Sequence, residues 1–229
     1  MKICRYLHEG KIEQSSEDDV PDGAQLLPPV NPGKIVCIGR NYADHAKELG
    51  NEAPAEPIIF LKPPSAVIGP EDMIVIPPQS QRVDFEGELA IVVGKTAKGV
   101  RAADWRQYVA GFTCANDVTA RDLQKKDVQF TRGKSFDTFL PLGPCLSADI
   151  DPSHARLVTR VNGEVRQDGN TSKMIFGCDR IFEFITGVMT LNPGDVILTG
   201  TPAGVGPLKS GDTVEVEIEG IGTLRNVVI

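Results

Sequence analysis

Two glutamates that lie one residue apart, Glu86 and Glu88, are the first candidates for chemistry in this chain of 229 residues. They precede an apolar run, Leu89–Val93, whose β-branched residues and lack of charge are typical of a strand buried on both faces. Residues i and i+2 of a strand share a face, so the two carboxylates would lie side by side. Their repulsion is relieved by protonation, by a basic partner or by a bound cation.

A third carboxylate, Asp117, follows a second apolar run, Tyr108–Cys114, that reads as another core strand. Hard carboxylate oxygens favour a hard divalent ion such as Mg²⁺, so a metal site is one interpretation. A solvated strand face is the other, because Glu215–Glu219 repeats the spacing on a strand whose strict alternation indicates one wet face. The residues alone leave both interpretations open, and burial of the glutamates would favour the metal site.

His45 and Glu48 are candidates for acid–base chemistry. They are three residues apart on a short predicted helix, residues 41–50, so they share a face; Asn41 is its candidate N-cap and Gly50 its C′ residue. A carboxylate bonded to imidazole fixes the tautomer and raises its basicity, which suits a general base. An ordinary exposed pair has the same spacing and is the simpler interpretation. For Lys134, too, a surface lysine is the simpler interpretation.

Composition excludes several classes of protein. The net charge of −7, from 24 basic and 31 acidic residues, argues against nucleic acid as a partner. Neither a signal peptide nor a membrane-spanning run is present, so we expect a cytoplasmic protein without a membrane partner. Five widely spaced cysteines without a C-x-x-C motif predict buried reduced thiols rather than a disulfide framework.

Short strands greatly outnumber helices, and no regular βαβ alternation appears. We predict a short N-terminal appendage over residues 1–32 and a catalytic domain over 33–229. Asn162-Gly163 predicts a hairpin, and the apolar spacing predicts an amphipathic helix over Asp179–Leu191. Helices are also predicted over 102–109 and 119–127. The glycine-rich loop Gly200–Gly206 is either a substrate-facing loop or a plain turn, since it matches no phosphate-binding pattern.

Five segments in order along residues 34–206 resemble the fumarylacetoacetate hydrolase family. The segments are Gly39-Arg40-Asn41-Tyr42-Ala43-Asp44-His45, Phe60-Leu61-Lys62-Pro63, Asp84-Phe85-Glu86-Gly87-Glu88-Leu89, Asn116-Asp117-Val118-Thr119-Ala120-Arg121-Asp122 and Leu198-Thr199-Gly200-Thr201-Pro202. The resemblance implies a β-rich α+β fold, a mixed β-sandwich roll with few short helices, which forms a homodimer.

The same resemblance assigns roles to nine residues. It implies Mg²⁺ or Mn²⁺ on three carboxylates: Glu86, Glu88 and Asp117. It implies catalytic roles for the lid pair and one lysine: His45, Glu48 and Lys134. It implies substrate contacts for Arg40, Gln124 and Thr201.

The segment from Arg40 to Glu48 is similar to the short branch of acylpyruvases and oxaloacetate decarboxylases. We therefore expect hydrolysis of acylpyruvates or decarboxylation of oxaloacetate, through an enolate that a divalent metal stabilises. Isomerisation of 2-hydroxyhepta-2,4-diene-1,7-dioate or 5-carboxymethyl-2-hydroxymuconate in aromatic catabolism is the alternative. A non-catalytic metal-binding module is disfavoured, because His45, Glu48 and Lys134 are all present.

Overall fold

The computed structural model describes residues 1–48, 50 and 52–229. The predicted β-rich α+β fold with few short helices is confirmed. The strands are β1 (Lys2–His8), β2 (Lys11–Ser16), β3 (Gln25–Leu27), β4 (Ile35–Gly39), β5 (Ile58–Lys62), β6 (Val67–Ile68), β7 (Met73–Ile74), β8 (Val83–Phe85), β9 (Gly87–Val93), β10 (Val109–Asn116), β11 (Thr119–Ala120), β12 (Leu140–Ser147), β13 (Arg156–Val161), β14 (Glu164–Asn170), β15 (Val196–Leu198), β16 (Gly206–Leu208), β17 (Thr213–Ile218) and β18 (Gly222–Val228). The α-helices are α1 (Ala43–Glu48), α2 (Arg121–Lys126), α3 (Thr131–Lys134) and α4 (Cys178–Val188), and 3₁₀ turns cover Glu17–Asp19, Pro64–Ala66, Ala102–Tyr108 and Thr171–Lys173.

The largest sheet has the order β2-β1-β12-β10-β9-β15-β4-β5, with β3 beside β1 and β6 beside β12. A second sheet has the order β14-β13-β17-β18-β7, and β11, β8 and β16 form a third. Strand β9 pairs antiparallel with β10 and β15, and it also contacts β13 and β17 of the second sheet. The strand that carries Glu88 therefore lies at the centre of the molecule.

The side chains of β9 alternate between two parts of the core. Leu89, Ile91 and Val93 pack with the apolar face of α4, whereas Ala90 and Val92 pack on the opposite face of the sheet. All seven residues of β9 are buried, which confirms the predicted two-sided burial. Helix α4 itself confirms the predicted amphipathic helix at this position.

Two predicted helices differ from the structure. The helix predicted over 119–127 begins only at Arg121, because Thr119 and Ala120 pair with Asp84 and Val83 as strand β11. Residues 102–108 wind as a 3₁₀ helix rather than an α-helix. The prediction of a hairpin at Asn162-Gly163 is confirmed by the pairing of β13 with β14.

Residues 1–32 contribute β1, β2 and β3 to the large sheet, where β1 pairs with β12. The prediction that all cysteines are reduced is wrong for one pair, because this pairing brings Cys4 to Cys145 and the two form a disulfide. Cys37, Cys114 and Cys178 are free and buried, as predicted. Within the described residues, none of the helices is long and apolar enough to span a membrane.

Candidate active site

The three predicted metal ligands meet in one buried cluster. Glu86, Glu88 and Asp117 are 5%, 2% and 1% exposed, and each offers a carboxylate oxygen within 4.8 Å of the others. The antiparallel register of β9 and β10 explains this, since it places Asn116 opposite Gly87. Asp117 follows directly, and its amide donates to the carbonyl of Glu86 over 2.8 Å.

Gly87 permits the close approach of the two sheets beneath the cluster. A Cβ at this position would lie 2.1 Å from Oγ1 of Thr159 on β13. Its amide donates to Oε1 of Gln167 at 3.0 Å, so β14 also holds the backbone here. Any side chain at residue 87 would force β9 away from β13 and would displace both flanking glutamates.

Cations neutralise two of the three carboxylates. Glu86 accepts from Arg121 at 2.5 Å and from Lys134 at 2.8 Å. Burial alone would raise the pKa of Glu86, but the Lys134 and Arg121 charges outweigh burial and hold that pKa well below its usual range. Asp117 accepts from Lys62 at 2.6 Å and from Lys134 at 2.7 Å.

Glu88 differs from its two neighbours because no cationic side chain contacts it in the described part of the chain. Its hydrogen bond comes from the amide of Gly200, 2.6 Å from Oε2. Burial, together with the charges of Asp117 and Glu86, raises the pKa of Glu88 well above its usual range. Three converging carboxylates, one without a counter-ion, form a hard oxygen donor set that fits a divalent cation.

His45 and Glu48 form the predicted pair on α1. Nδ1 of His45 lies 3.2 Å from Oε2 of Glu48. His45 is only 4% exposed, so the interpretation as an ordinary surface pair is wrong for the imidazole. The carboxylate of Glu48 also accepts from the amide of Gly204 at 3.1 Å, which ties α1 to the glycine-rich loop.

Asn41 has a different role from the predicted helix cap. Its side-chain amide donates to the carbonyl oxygens of Phe176 and Thr199, at 3.0 and 2.7 Å, and its Oδ1 accepts from the amide of Phe176. The side chain therefore binds the start of α1 to the end of β15 and to the loop before α4. These bonds place α1 beside the carboxylate cluster.

Most of the predicted site residues line one cavity of about 300 Å³. The cavity is lined by Ile38, Gly39, Arg40, His45, Phe60, Glu86, Glu88, Asp117, Arg121, Gln124, Lys125, Phe130, Lys134 and Thr201. Glu48 supports it through His45. The simpler interpretation of Lys134 as a surface lysine is wrong, because its ammonium is buried and lies 5.1 Å from the centre of the Phe60 ring.

Gln124 and Thr201 line the cavity, but both also hold other parts of the site. Gln124 accepts from Arg121 at 2.6 Å. The hydroxyl of Thr201 donates to the carbonyl of Gly87 at 2.8 Å and accepts from Gln167 at 2.7 Å. Thr201 therefore fixes the backbone between the two glutamates, and its predicted substrate contact stays a prediction.

Sequence reasoning assigned no role to two cations of the site, Lys62 and Arg121. Lys62 ends an apolar strand, β5, and its side chain is fully buried against Asp117. A lysine at an inward position of an apolar strand signals a buried partner, because such a charge is almost never left unpaired. Arg121 binds both Asp84 and Glu86, which lie 37 and 35 residues earlier in the chain, so no local pattern signalled its role.

The family model described as "Fumarylacetoacetate (FAA) hydrolase C-terminal" matches residues 34–229. The chain belongs to the fumarylacetoacetate hydrolase family. The resemblance in its sequence segments is thereby confirmed, and the chain is an enzyme of this family.

Relatives whose names describe different activities are similar to this chain to a comparable degree. Oxaloacetate tautomerase FAHD2A, mitochondrial, of Homo sapiens is 49% identical over 216 residues, which cover 89% of this chain and 69% of that protein. The crystal structure of 5-carboxymethyl-2-hydroxymuconate delta-isomerase from Mycobacterium smegmatis superposes with a TM-score of 0.93 at 46% identity, covering 100% of this chain and 98% of that one. A fumarylacetoacetate hydrolase from Exiguobacterium antarcticum gives 0.91 at 38%, covering 100% and 99%.

Proposed function

We propose that the protein is a divalent-metal-dependent enzyme that interconverts the keto and enol forms of 2-oxo diacids such as oxaloacetate by proton transfer. One observation carries the proposal: three buried carboxylates, a buried lysine and a histidine bonded to a glutamate face the same cavity. Relatives named as oxaloacetate tautomerase and as a hydroxymuconate isomerase support it, because both names describe movement of a proton and a double bond.

Glu86, Glu88 and Asp117 are the residues that would hold Mg²⁺ or Mn²⁺. The ion would supply a Lewis acid that favours negative charge on the keto oxygen of the substrate. Lys134, which contacts both Glu86 and Asp117, adds positive charge at the same end of the cavity. Fixed positive charges would therefore stabilise the enol oxygen of the substrate.

His45 is the group that would move the proton. Its Nδ1 is engaged by Glu48, so Nε2 is the ring nitrogen left to accept a proton from the carbon beside the keto group and to deliver it to the keto oxygen, which leaves the enol with its C=C bond. Glu48 orients the ring and stabilises its protonated form. The bond from Gly204 to Glu48 holds this pair against the glycine-rich loop.

The proposal is tested by following the loss of enol absorbance of oxaloacetate with Mg²⁺ and with a chelator. The wild-type protein should catalyse the exchange only with metal. His45→Ala should lower kcat by about 100-fold, as expected for loss of a general acid–base group, and should leave Mg²⁺ affinity within about twofold. His154→Ala, which removes an exposed histidine, is the matched control and should change neither. Equal rates with and without metal would refute the proposal.

Hydrolysis of acylpyruvates or decarboxylation of oxaloacetate is the second candidate. The cavity favours the hydrolysis for one reason: a His–Glu pair beside three carboxylates is also suited to deprotonating a water molecule. Decarboxylation needs no attacking water, so His45→Ala should impair hydrolysis of acetylpyruvate far more than decarboxylation. Equal losses in both reactions would exclude water activation by His45. Failure to act on any 2-oxo diacid with Mg²⁺ would favour a non-catalytic binding module.

We also propose that the enzyme acts in the cytoplasm as a homodimer, without a nucleic-acid or membrane partner. The family resemblance supports the dimer, and the net charge of −7 disfavours nucleic acid. Light scattering of the purified protein tests the dimer, since a monomer would have a mass of 24.7 kDa.

A further inference from the structure

Arg40 lines the cavity and has no hydrogen-bond or ion-pair partner among the described residues. Each other arginine of the described chain donates a side-chain hydrogen bond. Arg40 donates none, although it is half-buried. Its backbone has a φ of 58°, which is uncommon for a residue with a Cβ and persists where the surrounding structure requires it. The strained turn therefore presents an uncommitted guanidinium to the cavity.

Lys125 is a second cation that lines the cavity. It follows Arg121 by four residues on α2, so the two share a helix face with Gln124, and all three line the cavity. Lys125 forms no ion pair in the described part of the chain. Lys126 has the same charge and is also exposed, but it does not line the cavity. Position on the helix, rather than charge alone, therefore distinguishes Lys125.

The cations of the cavity fall into two groups. Arg121 and Lys134 are committed to Glu86 at the carboxylate end. Lys125 lies one helical turn from Arg121, about 6 Å farther along the helix axis. Arg40 and Lys125 are thus positive groups that the protein's own carboxylates do not neutralise. An anionic group of the ligand would bind both side chains through charge-assisted hydrogen bonds.

We propose that Arg40 and Lys125 bind the distal carboxylate of the substrate and so select 2-oxo diacids over 2-oxo monoacids. The inference rests on the proposed function, because the 2-oxo acid end of the ligand is assigned to the carboxylate cluster. A cavity of about 300 Å³ lies at the small end of ligand pockets, so the diacid is short. Lys125 then acts on substrate affinity and not on the chemical step.

Malate and lactate test whether Arg40 and Lys125 bind the distal carboxylate, because the two ligands share a 2-hydroxy carboxylate end and only malate has a distal carboxylate. Each is titrated calorimetrically into the Mg²⁺-loaded protein, and KM and kcat for oxaloacetate are measured in parallel. Lys125→Met should weaken malate binding by about tenfold and leave lactate binding unchanged, because the lost contact is a charge-assisted hydrogen bond. Its KM for oxaloacetate should rise by the same factor, with kcat within about twofold.

Two variants complete the design. Arg40→Met should weaken malate binding in the same way as Lys125→Met. Lys126→Met is the matched control on the same helix and should change neither ligand. Equal effects of the Lys125 and Lys126 substitutions would overturn the inference, as would an equal loss of lactate and malate affinity in Lys125→Met. A wild-type protein that shows the Lys125-dependent preference for malate but no turnover would support binding of the distal carboxylate by Arg40 and Lys125 and would refute the proposed function.

Discussion

The chain carries the glutamate-x-glutamate spacing in two segments, Glu86–Glu88 and Glu215–Glu219, and these two copies differ in burial. Glu86 and Glu88 are buried beside Asp117, whereas the side chain of Glu217 on β17 is 46% exposed and binds Arg160 at 2.6 Å. Strand β17 shows the predicted alternation of buried and half-buried residues. The spacing alone therefore fixes only which face the carboxylates share. Burial, together with Asp117 from the segment after β10, makes one copy a site.

The two copies meet through their middle residues. A Cβ on Gly87 would lie 3.3 Å from Cγ1 of Val216, which stands between the glutamates of the second copy. Val216 is a core residue and keeps its own glutamates on the wet face of β17. Gly87 has no side chain, and its backbone lies close against the second sheet. The same pattern thus turns its carboxylates outward in one strand and into a cavity in the other.

The largest difference between the copies should appear in turnover. Glu88→Gln removes the carboxylate that lacks a cationic partner and should lower metal-dependent activity by more than about 100-fold, beyond the effect usual for residues that only support a metal ligand. Glu217→Gln is the matched control and should stay within about twofold of the wild type, since surface substitutions remote from the site have little effect. Similar activities of the two variants would remove the distinction.

The cations that pair with the two copies should differ in how much they stabilise the folded protein. Lys62→Met breaks a fully buried pair with Asp117 and should lower the free energy of unfolding by about 3 kcal/mol, because the buried carboxylate loses one of its two cationic partners and keeps only Lys134. Arg160→Met breaks the pair with Glu217, which is open to solvent, and should cost less than about 1 kcal/mol. Urea denaturation in a chelating buffer measures both. A cost for Lys62→Met as small as that for Arg160→Met would contradict this role.

The smallest effect concerns the close approach at residue 87. Gly87→Ala should destabilise the protein by about 2 kcal/mol, because the new methyl group overlaps Thr159 and the sheets must separate. Gly187→Ala in α4 meets no atom within 4 Å and should instead stabilise by about 0.5 kcal/mol through helix propensity. Thermal unfolding of both variants checks the signs. Equal stability of the two variants would show that residue 87 tolerates a side chain.

The sequence predicted the strands around the site better than it predicted the partners within it. Periodicity is local, so the buried strand β9 and the helix α4 followed from their own residues. The burial of Lys134, by contrast, does not follow from its neighbours in the sequence. Gly133 lets α3 approach the start of α2, since a Cβ there would lie 2.9 Å from the amide nitrogen of Gln124, and this packing buries the lysine. The Cys4–Cys145 bond likewise depends on strands 141 residues apart, which no local pattern reveals.

We propose above all that Glu86, Glu88 and Asp117 together bind one divalent ion. Calorimetric titration of Mn²⁺ into the chelator-treated wild-type protein and Asp117→Asn tests it most directly, with circular dichroism to show that the variant is folded. We expect one ion per chain in the wild type and an affinity lower by more than about 100-fold in the folded variant. Equal affinity in both proteins would contradict it.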